Sequence, residues 1–101
     1  MEKDYEVTLL FFRNRTARLT AWGTGPKNAL EGLMICNGAG PRSQILIDEV
    51  PLEKVDVKKL NKNTCFAKVS LQNGKKTSEK YYHVETRTIL LNGDDNWQSL
   101  T

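Results

Sequence analysis

Cysteine, histidine and proline are scarce in this sequence of 101 residues, which contains two, one and three of them. Cys36, Cys65 and His83 lie far apart with neither a CxxC nor an HxxxH spacing, so no metal site is expected. Each cysteine sits inside an apolar pattern, as buried free thiols do. Long hydrophobic runs are missing too. The chain opens on the charged Met1-Glu2-Lys3-Asp4, and the apolar run that follows, Val7 to Phe12, is short. A signal peptide needs a longer stretch, and a membrane helix needs about 20 apolar residues. The expectation is therefore no membrane, reduced thiols and a cytoplasmic location, where the sequon Asn14-Arg15-Thr16 has no role.

Catalytic signatures are equally absent. There is no GxSxG, HExxH, Walker A or kinase-type motif. Asp48-Glu49 and Asp94-Asp95 are adjacent pairs in or near turns, where solvated acids are expected. Cys65 and His83 could meet across a hairpin as nucleophile and base, but cross-strand neighbours are common and usually inert. These absences argue against an enzyme and against a cofactor.

What is present resembles an ordinary globular composition: 39% hydrophobic and 27% charged residues, with a net charge of +3. The length suits one hydrophobic core, so residues 1–101 are read as a single domain. Tyr5 to Arg13 and Ala17 to Trp22 have strand patterns on either side of the polar turn Arg13-Asn14-Arg15-Thr16. If Arg13 pairs with Ala17 across a three-residue loop, Val7, Leu9, Phe11, Ala17, Leu19 and Ala21 share one face. A two-residue loop would scatter them over both faces. The opposite face then carries Leu10, Phe12, Arg18, Thr20 and Trp22, too apolar for a plainly solvated surface.

A helix is predicted from about Pro26 to Asn37, capped by Thr24 or Gly25 and ended by Gly38. Ala29, Leu30, Leu33, Met34 and Cys36 form its apolar stripe, with Ile35 pointing elsewhere. Gln44 to Val50 reads as a strand closed by Pro51. Val55 and Val57 favour a short strand or extended segment within Leu52 to Leu60. Thr64 to Gln72 alternates, and Asn73-Gly74 signals a type I′ hairpin turn. A two-residue turn there pairs Val69 with Ser78, Lys68 with Glu79, and Phe66 with Tyr81. Strand character persists to Leu91, Asn92-Gly93-Asp94-Asp95 turns the chain, and Trp97 and Leu100 dock the tail. The predicted fold class is α+β: an antiparallel sheet of about five strands, packed on one amphipathic helix.

Three surfaces are candidates for binding. The strand–Gly23-Thr24-Gly25-Pro26-Lys27–helix junction has the form of an anion cradle, although an ordinary β–α connection uses the same residues for turning and capping. Arg13, Arg15 and Arg18 on the first hairpin, with Lys75, Lys76 and Lys80 on the second, could follow a phosphate backbone while Phe12, Trp22, Phe66 or Tyr81 stack on bases. Charged hairpin tips also serve simply to prevent edge-to-edge aggregation. Leu10, Phe12, Trp22 and Ile35 lie outside the core stripes and are of the types enriched in protein interfaces. The leading expectation is a small non-enzymatic regulator, an inhibitor or adaptor, that binds a protein partner through this apolar and aromatic sheet face. Nucleic-acid binding through the basic hairpins is the alternative. Burial of the same face in a homodimer or beneath the chain's tail is the structural explanation competing with both.

Overall fold

The computed structural model describes residues 2–72 and 79–87. The Asn73-Gly74 turn, Lys75, Lys76 and everything expected beyond 87, including the Trp97 and Leu100 tail, lie outside the described residues. Within them run β1 (Lys3–Phe11), β2 (Arg15–Gly23), α1 (Pro26–Cys36), β3 (Ile45–Val50), β4 (Thr64–Leu71) and β5 (Lys80–Thr86). The strands form one sheet in the order β2-β1-β4-β5-β3, and every neighbouring pair is antiparallel. This is the α+β architecture of one helix on a five-stranded sheet.

Side-chain alternation decides the core. Tyr5, Val7, Leu9 and Phe11 on β1 share a face with Ala21 on β2, with Cys65, Ala67 and Val69 on β4, and with Tyr82 and Val84 on β5. Ile45 and Ile47 of β3 complete this face, which α1 covers with Ala29, Leu30 and Met34. The helix starts where Pro26, whose missing N–H costs nothing in the first turn, follows an extended Gly25. Asn28 Oδ1 accepts the Thr24 N–H at 3.0 Å, tying the β2–α1 turn to the first helical turn.

The helix ends in a Schellman motif, with the Ala39 N–H donating to the Met34 carbonyl and the Gly38 N–H to that of Ile35. Gly38 has a φ of 84°, open to glycine at little cost, and the reversal buries Ala39. This corrects the expected burial of Cys36. As the last helical residue Cys36 is exposed, because the reversal delivers Ala39 to the core in its place.

Both hairpins keep the predicted faces but change register, the first by four residues and the second by two. In the first, Phe11 pairs with Arg15, so the three-residue loop is Phe12-Arg13-Asn14, and Arg15 and Thr16 belong to β2. The loop closes through left-handed backbone at Arg13 (φ 63°) and Asn14 (φ 59°), a conformation that Asn tolerates better than most residues. In the second, Lys68 pairs with Tyr81 and Phe66 with His83, rather than Lys68 with Glu79 and Phe66 with Tyr81. Shifts by an even number of residues leave every side chain on its original face, so the hydrophobic pattern cannot distinguish them.

The stretch after β3 is neither strand nor simply extended. Pro51 leads into a 3-10 turn at Leu52–Lys54, and a second follows at Val57–Lys59, where the Asp56 carboxylate accepts the Lys58 N–H at 3.0 Å. Local capping by Asp56 outweighs the Val55/Val57 alternation. Residues 51–63 connect β3 to β4, which run parallel with β5 between them, just as α1 connects the parallel β2 and β3. The two crossovers travel in opposite directions across the sheet. The right-handed preference of such connections therefore assigns them to opposite faces.

Two substitutions test this geometry. A Cβ at Gly23 would lie 2.6 Å from Asn28 Oδ1 and 2.8 Å from the Ala29 backbone nitrogen, where β2 meets the helix. Gly23→Ala should therefore destabilise by about 1–3 kcal/mol in chemical denaturation. Asn14→Val, a β-branched residue forced into left-handed backbone, should lose about 1–2 kcal/mol in the same measurement.

Candidate functional site

The sheet face away from α1 can be laid out in cross-strand rows from the paired residues. At one end Trp22 lies opposite Asp4. Next come Thr20, Glu6 and Ser70, then Arg18, Thr8, Lys68, Tyr81 and Val50. A further row contains Thr16, Leu10, Phe66, His83 and Asp48. The face is apolar around Leu10 and Phe66 and polar towards Trp22.

The apolar end is covered. Phe66 is only 5% exposed, although it points away from the helix and stands outside the main core cluster. The His83 ring meets it edge-on, with centroids 5.3 Å apart. Leu10, Phe12, Val55, Val57 and Leu60 are half-buried, and the Val57–Lys59 turn lies against the Phe12–Asn14 turn. These burials fit the crossover lying over this end.

The four apolar candidates are consequently not brought together. Leu10 and Phe12 belong to the covered end. Ile35 is half-buried and packs against the main core on the helix side. Trp22 alone stands free, 64% exposed, six positions along the ladder from the Leu10 row or about 20 Å. Leu46 and Leu52 are also strongly exposed, but both belong to the β3 side of the sheet. Neither was singled out in the sequence.

Between Trp22 and the covered end is an open concavity of about 420 Å³ whose lining includes Glu6, Thr8, Arg18, Thr20, Lys68 and Ser70. Glu79 also lines it and pairs with Lys68 at 3.6 Å. The site offers hydroxyls and charges of both signs. Sequence reasoning singled out Arg18 here and passed over the rest, because a polar alternation on a strand is also what a solvated face looks like. Arg18 is exposed and makes no ion pair among the described residues.

The basic candidates separate as well. Arg13 lies over the Phe12 ring, 5.2 Å from its centroid. Arg15 pairs with Phe11 on the helix side, whereas Arg18 faces the other way. Lys80 pairs with Glu49 at 3.6 Å, again by register on the helix side. At the helix N-terminus the Thr24 N–H is taken by Asn28 Oδ1, which ties the Gly23–Lys27 connection to the first turn, and the N-cap Gly25 makes no side-chain cap bond.

Cys65 and His83 do not form a catalytic pair. Cys65 lies opposite Val84 in the core, and His83 lies opposite Phe66 on the other face. Burial pushes the Cys65 thiol up to about 12, away from the thiolate a nucleophile needs. Among the described residues no group of three or more His, Cys, Asp or Glu converges as a metal site. Nor is any helix among them long and apolar enough to cross a membrane. No family model, curated protein or solved structure matches the chain.

Tyr82 is also raised to about 12, first by burial, then by the nearby Glu49 carboxylate and by Tyr5. Above the ordinary ionisation range the unfolded chain loses protons that folded Cys65 and Tyr82 retain. Stability should therefore be lost as pH rises from about 9 to 12, as read by denaturant midpoints against pH. A thiol reagent at neutral pH should label Cys36 promptly and Cys65 only on unfolding.

Proposed function

We propose that this chain is a non-enzymatic binding protein, an inhibitor or adaptor, that docks a protein partner on the helix-free face beside β2. Trp22 is the anchor. The observation that carries this reading is its exposure: the largest side-chain type stands 64% free on a regular strand, not in a loop. Trp and Arg dominate interface hot spots, and Trp22 shares its face with Arg18. The adjoining concavity supplies the polar rim that a protein interface uses to fix orientation. The reading is narrower than the one drawn from sequence, because Leu10, Phe12 and Ile35 no longer contribute to the anchor.

Nucleic-acid binding has less support. Arg15 and Arg18 face opposite sides, and Lys68 and Lys80 each have a carboxylate neighbour. A phosphate backbone requires cations along one track.

Immobilised wild-type and Trp22→Arg proteins should be compared in lysate of the native host. Both should fold, because Trp22 is exposed, and the variant should lose a specific protein by about tenfold or more, as at a hot spot. The reading fails if the folded variant retains the same proteins. In parallel, labelled single- and double-stranded oligonucleotides should show no salt-sensitive binding. Salt-sensitive binding abolished by Arg13→Ala/Arg15→Ala would favour the alternative instead.

A further inference from the structure

We propose that two copies of this chain pair antiparallel along β2 about a two-fold axis at Thr20, so that Arg18 of each lies opposite Trp22 of the other. The inference rests on the reading of Trp22 as an interface anchor and names a second copy as an occupant.

β2 is an edge of the sheet among the described residues. It runs nine residues without proline and pairs with β1 without a bulge from Lys3↔Gly23 to Phe11↔Arg15. Natural edges are usually shortened, bulged or charged on both faces against such pairing. The opposite edge, β3, is six residues long, is followed by Pro51 and carries Asp48 and Glu49. β2 carries no acid, and on its helix-free face the only charge is Arg18.

The register follows from the positions of Arg18 and Trp22. A two-fold axis that pairs the strands antiparallel is normal to the sheet and keeps both helices on one side. It must pass at a residue, because an axis between residues would oppose side chains of opposite pleat. An axis at Arg18 would set two guanidinium groups directly opposite each other. One at Leu19 would leave them as diagonal neighbours about 7–8 Å apart, close enough to repel. An axis at Ala21 would place Arg18 opposite Thr24 and leave the partner's Trp22 only as a diagonal neighbour about 7–8 Å away.

With the axis at Thr20, each guanidinium lies opposite the partner's Trp22 ring, an arrangement favoured by the ring quadrupole. Thr20 then faces Thr20, Leu19 faces Ala21, and Ala17 faces Gly23. The half-buried Ala17 and Leu19 are covered, no like charges are opposed, and two five-stranded sheets become one.

Sedimentation equilibrium of the full chain, from low to several hundred micromolar, is the test. The wild type should approach twice its 11.5 kDa mass as concentration rises. Trp22→Arg opposes two cations on each side of the axis and should weaken association at least about tenfold. The double exchange Arg18→Trp/Trp22→Arg rebuilds both pairs in reverse and should restore association to within about threefold of wild type. Circular dichroism checks that each variant folds. A mass that stays at 11.5 kDa overturns the second copy. Association indifferent to Trp22→Arg, or not restored by the exchange, overturns this pairing. A monomeric wild type whose Trp22→Arg variant still loses a host protein separates failure of the dimer from failure of partner docking.

Discussion

The pairing of β1 with β4 carries the rest of the fold. Val7 lies opposite Val69 and Leu9 opposite Ala67, all essentially inaccessible to solvent, although their strands are far apart in sequence. Closing that separation loses chain entropy before it gains contacts, and burial on the helix side offsets the loss. Once β1 and β4 are joined, each brings its hairpin partner, β2 on one side and β5 on the other. β3 then adds beyond β5 with Ile47 opposite Val84. A polar residue at Val7 or Leu9 would therefore damage more than its own contacts.

From that central pair the layers follow. The helix covers one face, and the opposite-sense crossover of residues 51–63 is assigned to the other. The second face is only partly covered: Phe66 is sealed, while the rows from Arg18 to Trp22 remain open. This division separates a covered end of the sheet from an open one. The same constraint keeps Cys65 and His83 on opposite sides of one sheet, which removes the chemistry their proximity in sequence pattern suggested.

Much of the architecture was legible in the sequence. The faces of β1, β2, β4 and β5 follow from alternation, and α1 follows from Pro26, its apolar stripe and Gly38. The turns at Leu52–Lys54 and Val57–Lys59 were hidden by Val55 and Val57, whose alternation imitates a strand. The site was less legible. Trp22 and Arg18 were visible as unusual residues on one face, but Leu10, Phe12 and Ile35 looked equally available. A residue's face is a local property, whereas its cover comes from elements distant in the chain.

The surface around Phe12 and Trp22 shows that boundary most clearly. Sequence by itself determined that both residues lie away from the helix-facing stripe, because strand alternation is set by backbone geometry. Only the tertiary structure decided that Phe12 is half-buried against a crossover turn while Trp22 stays exposed on an edge strand. It also decided the pairing registers, since a shift of two residues preserves every face and leaves the choice to turn backbone and neighbouring strands.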